Sequence, residues 1–248
     1  MVAIGRRIYG LGAIGVGAAC LYFHQFAAVW EPTPDKLPNL DAFIWANGLI
    51  LIAGGLLVNL TGRLAAFGAA FLAVVFALWA IGLHGGVRLI HYWNLWGAWQ
   101  GFAEIFAMCM GGVVAYGLLR GGDPERSHRI AHLGRIGFAF CLFVFGVSHF
   151  LYAKETAGMT PHWLPPSQLF WTYATGVGHI LAGLAILTGL QAKLASMLLT
   201  LMFVAFGLFV HLPSVLHDPH TPMNWIANGI NLLLVGTAWV VMDSLKEH

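Results

Sequence analysis

The chain is dominated by long apolar runs that alternate with short polar or proline-rich segments. These runs are about 20 residues long, which is the length that an α-helix needs to cross the hydrocarbon core of a bilayer. The eight runs cover residues 8–29, 41–61, 64–84, 97–119, 133–153, 169–190, 192–212 and 225–243. The pattern therefore predicts an all-α integral membrane protein with eight transmembrane helices.

Composition agrees with this class of protein. Of the 248 residues, 59% are hydrophobic and only 9% are charged, whereas soluble domains carry about a quarter charged residues. The net charge is +2 without a basic cluster, so the predicted partner is the lipid bilayer and not a nucleic acid. The three cysteines lie in apolar runs and lack CxxC spacing, which indicates packing residues.

Lysine and arginine residues are distributed unevenly between the two sides that the spans define. If the spans alternate, nine of the twelve basic residues fall on the side of the N-terminus: Arg6, Arg7, Arg63, Arg120, Arg126, Arg129, Arg135, Lys193 and Lys246. The other three are Lys36, Arg88 and Lys154. Because cytoplasmic loops carry the excess of positive charge, we expect a bacterial plasma (inner) membrane protein with both termini cytoplasmic.

The two halves of the chain resemble each other at an offset close to 129 residues. The matched pairs are Ala53-Gly54 with Ala182-Gly183, Arg63 with Lys193, Trp96 with Trp225, His84 with His211, and Pro34-x-x-Leu37-Pro38 with Pro161-x-x-Leu164-Pro165. Such repetition predicts two similar four-helix units of the same orientation. The units are residues 1–120 and 133–248, joined by a polar cytoplasmic linker over 121–132.

Three histidines fall in the outer parts of consecutive predicted spans. His149, His179 and His211 lie within roughly 12 Å of one another in depth, at about 1.5 Å per helical residue. Buried imidazoles need partners, so we expect at least two of them to line one cavity, with Asn231 as a further contributor. The cavity could hold a quinone headgroup, a haem iron between two imidazoles, or a metal ion. Each histidine alone could instead bond a neighbouring helix.

Glu104 is the only acidic residue deep within a predicted span. A carboxyl group in the hydrocarbon region is costly, which favours a functional role. The alternative is a neutral acid that is hydrogen-bonded between helices. The expected partners are His24, His84, Asn47 or a neighbouring subunit.

A histidine-rich loop follows the seventh predicted span. His217 and His220 lie close to His211 in sequence, and imidazole is a common ligand of transition metals. Three prolines interrupt the segment, so it lacks the regular spacing of a helical metal site. The loop is therefore either a metal site or a solvated segment with local hydrogen bonds.

One sequence pattern of the second half is similar to that of a known family. Its residues are Gly146-x-x-His149-Phe150, then Pro161-x-Trp163-Leu164-Pro165, then Gly178 followed by Ala182-Gly183-Leu184. Over residues 130–245 this pattern resembles the DoxX-like membrane family. The resemblance implies a four-helix membrane unit linked to quinone-coupled sulfur oxidation, to redox-stress responses or to accessory roles in membrane complexes. Family members commonly carry an acid in the second helix, where this chain has His179.

Taken together, these features predict a multi-pass, redox-linked membrane protein that binds a quinone or a haem in the outer half of its second unit. Two other functions fit the same sequence. One is a non-catalytic structural or assembly subunit that packs against other subunits of a membrane complex. The other is a small-molecule transporter. The sequence does not decide whether the protein is catalytic.

Overall fold

The computed structural model describes residues 2–33 and 38–245, and the protein is all-helical, with 84% helix and no strand in that part of the chain. The helices are α1 Val2–Phe23, α2 Leu40–Asn59, α3 Gly62–Tyr92, α4 Trp96–Leu119, α5 Pro124–Leu151, α6 Ala153–Met159, α7 Gln168–Thr188, α8 Ala192–His217 and α9 Pro222–Asp243. Among the described residues, seven of these helices are long and apolar enough to cross a membrane. These are α2 to α5 and α7 to α9.

The first predicted span differs from the helix that the structure contains. The apolar run 8–29 extends beyond α1, which ends at Phe23. α1 is not among the seven, because the Arg6-Arg7 pair near its start lowers the mean hydropathy of this helix. The predictions that involve Pro34, Lys36, Leu37 and Lys246 lie outside the described residues.

The long helices pack as two half-bundles, one formed by α1 to α4 and the other by α5 and α7 to α9. In the first half-bundle, α1 packs on α2, α2 on α3, and α3 on α4; in the second, α5 packs on α7, α7 on α8, and α8 on α9. The half-bundles meet where α1 lies along α9, where α4 lies along α5, and where α4 contacts α9. Apart from a small contact between α1 and α4, exchanging the two half-bundles leaves this pattern of neighbours unchanged.

Each half-bundle contains a close glycine crossing between its first two long helices. A Cβ atom added at Gly17 of α1 would lie 2.6 Å from the carbonyl oxygen of Gly48 in α2. A Cβ atom added at Gly146 of α5 would lie 2.8 Å from the carbonyl oxygen of Gly176 in α7. Only residues without side chains allow such approach, so both crossings depend on glycine.

The third helix of each half-bundle contains a π-helical stretch. It covers Leu78–Leu89 in α3 and Gly207–His211 in α8. The first stretch corrects the sequence interpretation, in which the third predicted span ended at residue 84 and the next began at residue 97. The helix continues to Tyr92, because inside a membrane a helical backbone satisfies its own hydrogen bonds even across a Gly-Gly pair.

Helical structure also replaces other segments that were predicted as loops or linkers. The loop over 154–168 contains α6, and α8 continues past Pro213 to His217. Most of the predicted linker 121–132 is the start of α5, which begins at Pro124. There the Asp123 carboxylate accepts a hydrogen bond from the Glu125 amide at 3.0 Å, and an N-terminal proline is compatible with a helix.

Candidate ligand cavity

A cavity of about 710 Å³ lies in the second half-bundle, and all four predicted cofactor-binding residues line it. His149 comes from α5, His179 from α7, His211 from the π-helical stretch of α8, and Asn231 from α9. Glu104 of α4 lines the same cavity. The cavity is therefore built from all four long helices of the second half-bundle, with one wall from the first.

His149 and His179 form a close pair in which both rings have the same tautomer. The Nδ1–H group of His149 donates to the Phe145 carbonyl oxygen at 2.8 Å, and that of His179 donates to the Thr175 carbonyl oxygen at 2.8 Å. Carbonyl oxygens only accept hydrogen bonds, so both Nδ1 atoms carry hydrogen. In the neutral rings, each Nε2 atom is then a hydrogen-bond acceptor. Neither Nε2 atom has a partner in the described part of the chain.

Aromatic side chains surround this histidine pair. The ring centres of His149 and His179 are 5.0 Å apart, at an angle of 42°. Phe145, Phe203 and Phe206 lie with their ring centres 5.7, 5.6 and 6.2 Å from that of His179. Flat aromatic surfaces beside two polar acceptors favour a flat, mostly apolar ligand with a polar edge.

His211 and Asn231 complete the polar part of the second half-bundle's wall. Asn231 is buried, and its amide nitrogen donates to the Phe203 carbonyl oxygen at 3.1 Å. A Cβ atom at Gly207, where the π-helical stretch begins, would lie 2.8 Å from that nitrogen. The amide of Asn231 therefore fits against α8 because position 207 is glycine.

Glu104 has different partners from those that the sequence suggested. Its carboxyl group accepts hydrogen bonds from the Trp30 indole at 2.5 Å and from the Gln100 amide at 2.8 Å. The expected partners are engaged elsewhere. His24 bonds Asp41, His84 bonds the Trp30 carbonyl oxygen, and Asn47 bonds Glu31. The three predicted side-chain partners were wrong, because Trp30, which lies just beyond the predicted span 8–29, occupies the position next to the Glu104 carboxyl group.

A chain of polar groups continues from Glu104 along the cavity wall. The Ser148 hydroxyl group donates to the Gln100 side-chain oxygen at 2.6 Å and accepts from the Trp96 indole at 2.9 Å. Sequence reasoning missed Trp30, Gln100 and Ser148 as cavity residues. The spacing of Gln100 and Glu104, four residues apart on one helix face, was a signal that could have identified Gln100.

Glu31 is a second buried acid, in the segment between α1 and α2. It is 4% exposed, and its carboxylate accepts hydrogen bonds from the Ala27 amide at 3.4 Å and the Asn47 side chain at 2.9 Å. Burial raises the pKa of the Glu31 carboxyl group to about 8, although both hydrogen bonds partly offset the effect. Glu31 therefore binds a proton more tightly in the folded protein than in the unfolded chain.

This pKa predicts that Glu31→Gln removes a pH dependence of stability. Between pH 4.5 and about 8 the folded state holds a proton that the unfolded state has released, so wild-type stability falls as pH rises through that range. Glutamine resembles the protonated acid, so the variant should be the more stable protein at pH 8 to 9 by on the order of a few kcal/mol. Thermal unfolding in detergent from pH 5 to 9 measures this difference.

Glu155→Gln is the matched control, because it makes the same chemical change at an exposed position. It should leave the wild-type pH profile unchanged. Parallel profiles for wild type and Glu31→Gln would show that Glu31 does not titrate as its burial requires.

The histidines predicted to bind metal are not gathered into a metal site. His217 ends α8, and His220 lies in the following turn, where its backbone amide donates to Asp218 at 3.3 Å. Both histidines are exposed. Within residues 2–33 and 38–245, no group of three or more histidine, cysteine or acidic side chains is placed to hold a metal ion.

Comparison with known proteins gives one match, over the part of the chain that contains the cavity. Residues 138–241 match the model of a family described as a domain of unknown function, DUF8561. This range includes His149, His179, His211 and Asn231, whereas Glu104 lies before it. No curated protein and no solved structure matches the chain.

Proposed function

We propose that this protein is a redox-linked membrane protein that binds a quinone-class lipid in the cavity of the second half-bundle. One observation carries the proposal: His149 and His179 line an otherwise largely apolar, aromatic-lined cavity, and each has an Nε2 atom that can accept a hydrogen bond and has no partner among the described residues. The volume of about 710 Å³ suits a quinone ring with part of its isoprenoid tail, since ligand pockets measure roughly 300–1,000 Å³.

The hydrogen-bonding character of the cavity favours the reduced form of such a ligand. A quinone presents carbonyl oxygens, which need donors, whereas a quinol presents hydroxyl groups, which can donate to His149 and His179. Glu104 also lines the cavity and adds acceptor capacity, although the indole of Trp30 and the amide of Gln100 already donate to it. We therefore expect the quinol to bind more tightly than the quinone.

A haem held between His149 and His179 fits the same geometry poorly. Two imidazoles that ligate one iron from opposite sides hold their nitrogens about 4 Å apart, at about 2 Å per bond, and their ring centres farther apart still. Here the ring centres are only 5.0 Å apart and the planes are tilted. The pair is better placed to contact one edge of a small ring than to enclose a porphyrin.

Ligand retention provides the first experimental test. The protein would be purified from membranes in mild detergent, extracted with organic solvent and analysed for quinones by chromatography and mass spectrometry. We expect close to one quinone per chain, and a clear reduction in His149→Leu and His179→Leu. Quinone content equal to that of an unrelated membrane protein in the same detergent would contradict the proposal.

The proposal includes the orientation and the tandem organisation. The two half-bundles are tandem four-helix units of the DoxX-like type, with α1 to α4 corresponding to α5 and α7 to α9. Their symmetric packing, the two glycine crossings and the two π-helical stretches support this relation. The excess of Lys and Arg at the end where α5 begins supports an orientation in which that end faces the cytoplasm of a bacterium and the cavity faces outward.

Site-directed labelling tests this orientation. Cys20, Cys109 and Cys141 are buried, so an introduced surface cysteine dominates the labelling. His162→Cys and His220→Cys, both at exposed positions, should react with a membrane-impermeant maleimide in intact cells. Arg126→Cys, at the start of α5, should react only after the cells are permeabilised. The reverse pattern would overturn the orientation.

The accessory-subunit alternative predicts a different result in the ligand experiments. The outward faces of α7 and α8 are apolar, and lipid contact accounts for them. If purified protein folds normally, binds no quinone and co-purifies stoichiometrically with other membrane subunits, a non-catalytic structural role replaces the proposal. Transport by alternation of the half-bundles would require ligand access from both sides, which the same labelling variants can measure.

A further inference from the structure

A second cleft, of about 930 Å³, opens at the other end of the second half-bundle from the histidine cavity. It lies between the beginning of α5, the turn from α7 to α8, and the end of α9. Its nitrogen-bearing basic side chains are His128, His132, Arg135 and Lys193. No carboxylate side chain lines the cleft among the described residues.

Arg135 carries a positive charge that is almost entirely buried, with 7% of the residue exposed. Its NH1 group donates to the carbonyl oxygen and hydroxyl group of Ser244 at 3.1 and 3.2 Å, and its NH2 group donates to Nδ1 of His132 at 3.3 Å. These contacts use three of the five donors of a guanidinium group. No carboxylate of the described residues lies within ion-pair distance of Arg135. Asp243, which adjoins the cleft residues Met242 and Ser244, interacts with Lys193 instead.

The corresponding arginine of the first half-bundle makes a closed contact instead. Arg6 lies 129 positions earlier, and its NH1 group donates to the carbonyl oxygens of Val58 and Leu60, both at 2.5 Å. It therefore caps the end of α2 directly. Leu187 and Gly189, at the end of α7, occupy the positions that correspond to Val58 and Leu60. They line the cleft, and the guanidinium group of Arg135 does not donate to their carbonyl oxygens.

We infer that this cleft binds a phosphate group, carried either by an anionic phospholipid or by a soluble phosphorylated molecule. The planar guanidinium group suits phosphate oxygens, and an anion would neutralise a buried charge that is otherwise costly. The N-terminal end of α8, which has no acidic residue in its first turn, borders the same space. Exposed apolar side chains of Leu190, Leu194 and Met197 continue from the cleft, which favours a lipid with acyl chains.

Binding to delipidated protein tests this inference. Native mass spectrometry would follow titration with phosphatidylglycerol, with zwitterionic phosphatidylcholine for comparison, and separately with inorganic phosphate in detergent alone. Wild type should bind one phosphatidylglycerol in preference to phosphatidylcholine. Arg135→Gln should weaken that binding by roughly tenfold or more, the effect of a lost charge-assisted hydrogen-bond pair.

Arg63→Gln is the matched control, because it removes the same charge from an exposed position at the start of α3 and should bind like wild type. If Arg135→Gln does not fold, the double variant of His128→Ala and His132→Ala, at exposed positions, should weaken binding instead. If inorganic phosphate binds to wild type but not to Arg135→Gln, the ligand of the cleft is a soluble phosphorylated molecule and not a phospholipid. Equal lipid affinity in wild type and the variants, or no binding in either titration, would overturn the inference.

Discussion

His179→Leu should strongly weaken ligand binding and leave the protein folded. His179 is 1% exposed and is surrounded by aromatic side chains. If its Nε2 atom is removed, the histidine pair retains only the Nε2 atom of His149 as an acceptor. Leucine keeps an apolar side chain in contact with Phe145 and Phe203 but cannot accept a hydrogen bond. We expect the quinol affinity to fall about a hundredfold, because a buried ligand hydroxyl group would lose its partner.

His217→Leu is the matched control for this variant, since it makes the same replacement at the exposed end of α8. Affinity can be followed by quenching of tryptophan fluorescence, because Trp30 and Trp171 line the cavity. Both variants should show the circular dichroism and gel-filtration behaviour of wild type. An unchanged affinity in His179→Leu would remove the histidine pair from the binding site.

Gly236→Ala should have the largest effect on stability of any single methyl addition at the contact between α1 and α9. A Cβ atom at this position would lie 2.4 Å from the amide nitrogen of Tyr9 and 2.5 Å from its Cα atom. Neither atom can move without shifting α1 away from α9. Overpacking of this kind costs about 1–3 kcal/mol, so the midpoint of thermal unfolding in detergent should fall by several degrees.

Gly82→Ala provides the control, because an added Cβ atom there meets nothing within 4 Å. Alanine is the better helix former by up to about 1 kcal/mol, so this variant should match or slightly exceed wild-type stability. Equal unfolding midpoints for the two variants would show that close approach of α1 and α9 does not stabilise the joined half-bundles.

The main outline of the fold follows from the apolar pattern, because the length of a membrane span is set by the bilayer. Local breaks in that pattern were misleading. The Gly85-Gly86 pair and Pro213 indicate loops in water, yet the helices continue through both as π-helical or adjoining segments. Hydropathy cannot distinguish a π-helical turn from an α-helical one, since the two differ only in hydrogen-bond register.

The candidate site was predictable only where residue type and depth were both informative. Histidines within apolar runs are unusual, and the structure brings the three of them and Asn231 to one cavity. The contribution of Trp30 to the cavity was not predictable, because Trp30 lies just beyond the predicted span 8–29, in the segment before α2. Its burial depends on a contact with Glu104 of α4, which no local pattern in the sequence reports.

Direct binding of oxidised and reduced ligand to the wild-type protein tests the central claim. Purified protein in lipid nanodiscs would be titrated anaerobically with a short-chain quinone and with its quinol, and tryptophan quenching would give both affinities. The account predicts saturable binding of one molecule per chain, with the quinol bound more tightly because His149 and His179 present acceptors. No saturable binding of either form to folded protein would contradict it, and tighter binding of the quinone would contradict the assigned tautomers.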